Sequence, residues 1–338
     1  MKTANTLAPV QGDRQMKAIV QVEYGSADVL RLENVHKPAV QDNQVLVRVY
    51  GASVNASDWH LMRGTPFFIR LMFGGLLKPK IKTLGCDMAG RVEAIGKDVT
   101  QFQPGDEVFG DLSESGFGAF AEYVCTTEAA LAIKPVNTTF EEAATVPGAA
   151  LAALQGLRDV GQIQPGQKVL INGASGGVGS FAVQIAKTFG AEVTAVCSTK
   201  KMDMLRSLGA DYVIDYTQVD VTKNGQHYDL ILDAAAYRSV LDYLPALTPE
   251  GTYVLIGGST AQFFQVMFLS PWISRTTRQK VKSLASKPNQ ADLVTLRDLI
   301  VASKIVPWIE RRYNLSEVPA AIRHLEQRQV LGKVAISV

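Results

Sequence analysis

Over the first third of the chain, apolar residues come in short bursts punctuated by glycine and proline. Val45, Val47 and Val49 alternate with Leu46, Arg48 and Tyr50. Both sets are partly apolar, so a strand covered on each side is expected. Further strands are expected at 90–96 and 107–110, on either side of Pro104-Gly105-Asp106. The fixed proline φ and the permissive glycine make that tripeptide a turn. Another short strand is expected at 118–124. Closely spaced short strands of this kind predict a compact β-barrel over 16–138. Residues 1–15 are polar, lack the apolar run of a secretion signal and read as a flexible tail.

The pattern changes near Thr139. Residues 140–157 are rich in Ala and Leu and predict a helix broken at Pro147. Pro165-Gly166 leads into Lys168-Val169-Leu170-Ile171, a run suited to a strand buried on both faces. Val178, Phe181, Ala182, Ile185, Ala186 and Phe189 then recur on one helical face, which Gly190 ends. Strands at 192–197, 212–215, 230–232 and 253–256 alternate with helices at 201–208 and up to Leu247. This alternation predicts an α/β unit over 139–265, a doubly wound parallel sheet. Helices near 292–303 and 317–327 and a strand at 333–338 complete the chain.

Charge adds little to this picture. The 34 Lys and Arg nearly balance 32 Asp and Glu, and a net charge of +2 gives no reason to expect nucleic acid or an acidic membrane as a partner. The three cysteines, Cys86, Cys125 and Cys197, are widely spaced and odd in number, which fits a reducing, cytoplasmic setting and no metal knuckle. No window reaches the roughly 18 apolar residues that span a bilayer. Two shorter apolar stretches, 66–77 and 263–273, read first as buried helix or loop. A wall of an apolar substrate pocket and a peripheral membrane contact are the other readings.

Chemistry enters with Ala174-Ser175-Gly176-Gly177-Val178-Gly179, which follows a strand and opens a helix. Gly176 lets backbone N–H groups approach a pyrophosphate, Gly179 permits close packing of helix on strand, and the helix N-terminus supplies positive potential. An NAD enzyme usually ends the next strand in an acid that holds the ribose 2′-hydroxyl. Here that end reads Val196-Cys197-Ser198-Thr199-Lys200-Lys201. Two hydroxyls and two lysines suit the extra phosphate of NADPH instead.

Taken together, Val54-Asn55-Ala56-Ser57-Asp58-Trp59, Leu84-Gly85-Cys86-Asp87-Met88-Ala89-Gly90, the glycine loop and Gly332-Lys333-Val334 resemble the medium-chain dehydrogenase/reductase superfamily. The resemblance is to its zinc-free quinone oxidoreductase-like branch and runs over nearly the whole chain from Met16. It implies that the barrel is a GroES-like catalytic domain, that 139–265 is a Rossmann NADPH-binding domain, and that 266–338 returns to the catalytic domain. It also implies a homodimer, with 280–286 as a candidate edge strand for it. Implied cofactor contacts are Asn55, the loop 174–179, Ser198, Thr199, Lys201, Tyr216, Gly257 and Gly258.

Zinc relatives use two cysteines and a histidine. The matching positions here are Asn55, Cys86 and a thiol-free Val146-Pro147-Gly148, so no catalytic metal is expected. Cys86 reads as a small buried residue. Ala152 replaces a threonine that often touches the nicotinamide end.

With no Lewis acid, alcohol oxidation is hard, whereas hydride addition to a conjugated carbonyl or quinone needs only hydrogen-bond donors and an oriented, dry pocket. Asn55, Ser57 and His60 are the candidate catalytic residues, Tyr123 is a looser one, and Asp58 is expected to order the loop. The expected function is hydride transfer from NADPH to an apolar quinone or α,β-unsaturated carbonyl. The alternatives are an NADP-dependent alcohol or aldehyde oxidoreductase, and a cofactor-binding structural or membrane-associated protein with little turnover.

Overall fold

A computed structural model describes residues 15–73 and 75–338, so the expected tail, apart from Gln15, lies outside the described residues. β1 (Gln15–Val20) pairs antiparallel with β2 (Arg31–His36). The long β3 (Val45–Val54) is buried at eight of its ten positions, all but Arg48 and Tyr50, as expected of a strand covered on both sides. Two short helices follow, α1 (Ala56–Arg63) and α2 (Phe68–Met72). β4 (Asp87–Ile95), β5 (Glu107–Asp111), β6 (Tyr123–Thr126) and β7 (Leu131–Ile133) complete the first antiparallel set. The strand expected at 118–124 begins later, at Tyr123. Ahead of it Ala121 makes only an isolated bridge to Ala18.

Pro147 breaks the next helical stretch as expected: α3 (Phe140–Ala144) ends and α4 (Pro147–Gln155) starts with proline in its first turn, where no N–H is needed. The parallel unit then runs β8 (Lys168–Asn172), α5 (Gly177–Thr188), β9 (Glu192–Cys197), α6 (Met202–Ser207), β10 (Tyr212–Asp215), β11 (Tyr228–Asp233), α7 (Val240–Tyr243), β12 (Leu247–Leu255), α8 (Thr260–Thr276) and β13 (Lys280–Ser283). α9 (Gln290–Val301), β14 (Ile309–Asn314), α10 (Val318–Glu326) and β15 (Lys333–Ser337) close the chain.

The parallel sheet has the order β10-β9-β8-β11-β12-β13, and the other β14-β15-β3-β4-β5-β7 with β6 on β3. In the first, the chain steps outward from β8 in one direction and then crosses to the other side. The loops at the reversal, after β8 and β11, therefore splay apart and leave a crevice at the carboxyl ends of the strands.

The chain leaves this sheet later than expected. β13 pairs in parallel with β12, and Leu293, Leu296 and Ile300 of α9 are buried in the sheet's own core. The return to the first domain comes with β14 and β15, the latter antiparallel to β3. A four-residue strand such as Lys280–Ser283, with two lysines, carries too little apolar pattern to be assigned to a sheet before its neighbour is known.

The two apolar stretches differ most from their first reading. They are not buried: Leu71, Met72, Leu77, Phe268 and Trp272 are exposed, and α8 buries only Val266 and Ile273. Apolarity alone predicted burial, but α8 turns only Val266 and Ile273 into the core beside the parallel sheet. Among the described residues no helix is long and apolar enough to cross a membrane.

Candidate active site

In the loop after β8, Gly173 and Gly179 leave no room for a side chain. Gly173 takes a left-handed φ of 71°, and a Cβ there would stand 2.6 Å from that of Ala235. At Gly179 a Cβ would lie 2.3 Å from the Gly173 carbonyl oxygen, so α5 rests directly on the loop, as expected. Ala174 is buried, and its N–H bonds the Val196 carbonyl at 3.1 Å, tying the loop to β9. Gly176 caps the 12-residue α5, and a Cβ there would meet only the Gly173 carbonyl oxygen at 3.5 Å. Its backbone is therefore open to a close-lying group at the positive end of the helix. Gly177 and Val178 start α5, Gly177 against the Lys333 side chain and Val178 against the core.

A cavity of about 510 Å³ opens at this loop, lined by Ser175, Gly176, Ser198, Lys201 and Tyr216. Five of the expected cofactor contacts thus share one wall. Thr199 does not join them: its hydroxyl is bonded to the Asp215 carboxylate. Sequence reasoning missed Arg238 and Arg328, which line the same cavity. Arg328 has a left-handed φ of 58° and its guanidinium lies 4.7 Å from the Tyr237 ring centroid. Arg238 donates to Asp220 at 2.6 Å. Lys201 is half-buried, which lowers its pKa, and it donates to the Val330 carbonyl at 3.1 Å. No local signal marks either arginine, because each comes from a distant loop.

Next to it a smaller cavity of about 210 Å³ is lined by two further expected contacts, Gly257 and Gly258, together with His60, Phe68 and Phe263. An isolated bridge, Ala236 to Gly258, separates the two spaces. The His60 ring lies 3.6 Å from that of Trp59, and its Nδ1 is 2.7 Å from the Thr65 carbonyl oxygen. A carbonyl oxygen only accepts, so Nδ1 carries the hydrogen and neutral His60 offers Nε2 as an acceptor. Burial lowers its pKa, favouring that neutral form. Tyr123 is elsewhere: it lies under the Lys37 ammonium in a crevice with Arg48 and Glu93.

The ends of β4 and β15 in the antiparallel sheet carry a group of buried charges. Asp87 is fully buried and accepts from Ser53 Oγ at 3.0 Å, Asn55 Nδ2 at 2.9 Å, the Gly148 N–H at 2.8 Å and Lys333 Nζ at 3.3 Å. Lys333, 3% exposed, also donates to Asn55 Oδ1 at 2.5 Å. Asn55 Nδ2 further approaches Cys86 Sγ at 3.3 Å. The Asn55 amide is thus committed at both ends and keeps no N–H for a substrate oxygen, contrary to its expected catalytic role. Ser57 is exposed, and its Oγ has only Cys86 Sγ near it, at 3.8 Å. Asp58 orders the loop as expected, accepting the Asn55 N–H at 2.7 Å and the Gly85 N–H at 3.1 Å. Burial raises its carboxyl to about 7. Lys333 went unassigned although Gly332-Lys333-Val334 had been singled out. The signal was there, a lysine inside an apolar strand.

Cys86, Asp87 and Asp111 bring three potential ligand atoms within 4.8 Å of one another. They do not fit a catalytic zinc. They offer one thiol and two carboxylates with no histidine, not the two cysteines and a histidine of the zinc relatives, and burial with the nearby carboxylates pushes the Cys86 thiol well up. The charge a cation would balance on Asp87 is already met by Lys333.

A doubly wound sheet with a glycine loop at its reversal point, joined to an antiparallel domain that closes over it, defines a dinucleotide-dependent oxidoreductase architecture. Residues 41–136 match the alcohol dehydrogenase GroES-like domain, and residues 208–336 match the family described as zinc-binding dehydrogenase. Over 98% of its length the chain is 32% identical to a 2-methylene-furan-3-one reductase of Solanum lycopersicum, covering 82% of that protein. The same identity and coverages hold for the chloroplastic NADPH-dependent alkenal/one oxidoreductase of Arabidopsis thaliana. The quinone oxidoreductase of Coxiella burnetii superposes with a TM-score of 0.85 at 29% identity, over 96% of this chain and 99% of that one. The chain belongs to the medium-chain dehydrogenase/reductase superfamily, in its quinone oxidoreductase-like branch.

Proposed function

We propose that this chain reduces apolar α,β-unsaturated carbonyls or quinones with NADPH. The observation that carries the proposal is the pairing of a cation-lined cavity at the glycine loop with an adjoining apolar one at His60. The fit to NADPH rests on chemistry: Ser175, Gly176 and the N-terminus of α5 suit a pyrophosphate, and Ser198, Lys201, Tyr216 and Arg328 suit a 2′-phosphate. When bound, NADPH supplies the hydride.

The residues of the chain do the rest. Phe68, Ile69 and Phe263 exclude water from the acceptor, which strengthens every polar contact made there. Ser57 donates to the acceptor oxygen on which charge collects when hydride adds to the β-carbon. His60, neutral and with its N–H engaged, packs its ring against the acceptor rather than giving up a proton, and solvent protonates the α-carbon. Lys333 stands against Gly177 on one side and against Asn55 and Asp87 on the other. The names of the relatives, which include an alkenal/one and a quinone oxidoreductase, support the same acceptor class. Cytoplasmic placement and a homodimer joined through the free edge of β13 belong to this proposal.

The test is NADPH oxidation against a panel of enones, quinones and saturated aldehydes. Turnover of enones or quinones at least about tenfold above saturated aldehydes is expected. Turnover confined to aldehydes would favour an alcohol or aldehyde oxidoreductase, and cofactor binding without turnover a structural protein.

A further inference from the structure

The surface around the mouth of the smaller cavity is apolar on two elements at once. α8 has 17 residues and buries two of them, leaving Phe268 71% exposed and Trp272 57%. On the facing side, α2 and the loop after it expose Leu71 at 63%, Met72 at 71% and Leu77 at 87%. Pro66 and Phe68 line one side of the cavity and Phe263 the other, so the two elements form one surround. Large apolar side chains scattered singly need no explanation, but a contiguous patch does.

Charge identifies what covers it. Residues 65–83 and 259–283 contain no Asp or Glu, although the chain has 32. They carry eight Lys and Arg. Arg70 and Lys282 are used internally, donating to the carbonyls of Gly64 and Val160. Lys78, Lys80, Lys82, Arg275, Arg278 and Lys280 are exposed. The only ion pair formed by these six is Arg278 with Glu250, at 3.5 Å, among the described residues. The net charge of +2 conceals this segregation. A second copy packed face to face on the patch would set these cations against themselves, since a two-fold contact brings one surface onto its equal.

We propose that this face docks on an anionic lipid bilayer. The apolar side chains of α2 and α8 sink into the boundary between headgroups and acyl chains, and the flanking lysines and arginines meet lipid phosphates. Trp272 sits where tryptophan is enriched, at the interface. Docking stands independently of the proposed reaction. If that reaction holds, it also sets the cavity mouth against the phase in which an apolar acceptor dissolves.

The experiment is flotation of the full chain with phosphatidylcholine vesicles, with and without phosphatidylglycerol. The wild type is expected to float with the anionic vesicles only and to be released by high salt. Replacing Lys78, Lys80, Arg275 and Arg278 by Gln is expected to weaken partition at least about 100-fold, at roughly fivefold per cation. Phe268→Ser with Trp272→Ser is expected to weaken it at least about tenfold. Melting curves near wild type show that either variant is folded. The proposal is overturned if the wild type floats with neither vesicle, or if anionic binding survives the apolar substitutions, which would mean plain electrostatic adsorption. It is equally overturned if those substitutions split an oligomer that never floats, which would show a second copy on the face.

Discussion

Lys333 Nζ lies 2.5 Å from Asn55 Oδ1, joining the last strand of the chain to a loop 278 residues earlier. The same ammonium reaches Asp87, which is fully buried, so one cation balances the carboxylate and orients the amide. In zinc relatives a metal is held at the position of Asn55. Here a side-chain ammonium provides the positive charge.

Removing that cation should leave Asp87 unpaired in the interior. Lys333→Met is expected to destabilise the chain by about 3–5 kcal/mol, the usual cost of a stranded buried charge. Asp87→Asn in the same chain should recover most of the loss, because the amide needs no counter-ion. Chemical denaturation of the single and double variants measures this. Equal stability of Lys333→Met and its double would show that the pair matters only for packing.

Lys201 lines the larger cavity at the position proposed for the 2′-phosphate. Hydrogen bonds to charged groups contribute about 1.5–3 kcal/mol, so Lys201→Ala should raise KM for NADPH about 10- to 100-fold. KM for NADH should move less than about twofold on the same reasoning, since NADH lacks the phosphate. Parallel losses for both cofactors would move Lys201 from recognition to structure.

His60 has its Nδ1 hydrogen committed to Thr65 and a pKa lowered by burial. A neutral imidazole in that tautomer is a poor acid. His60→Gln should therefore lower kcat by less than roughly tenfold, well short of the 10²–10⁴ expected when an essential general acid is lost. A solvent isotope effect unchanged by the substitution would agree. A kcat loss above a hundredfold, with KM unaltered, would restore the acid role.

Asp58 binds its proton more tightly folded than unfolded, with its carboxyl raised from 3.8 to about 7 by burial. Its contribution to stability is complete below pH 3.8 and is lost as pH rises through 7. Asp58→Asn lacks this titration. The Tm of the variant should therefore gain on that of wild type between pH 5 and 8, and a difference that stays flat over this range would contradict the burial argument.

Much of this was legible in order along the chain. The break at Pro147, the apolar run before the glycine loop, and the stop at Gly190 are local, and backbone sterics and periodicity decide them. Ser198, Lys201 and Tyr216 were legible because they fall at the ends of adjacent strands in one supersecondary unit. The direction of the Thr199 hydroxyl was not legible, because it depends on the acid that claims it, here Asp215.

By itself, then, the sequence determined the alternation of elements, the glycine loop and the preference for a phosphate-bearing cofactor. Each of these follows from neighbours a few residues apart, where covalent geometry and side-chain period operate. Tertiary structure alone decided that Lys333 meets Asn55, that Arg238 and Arg328 join Lys201, and that α2 and α8 share an exposed apolar face. These depend on which distant segments the packing brings into contact, and Coulomb attraction and burial act through space, not along the chain.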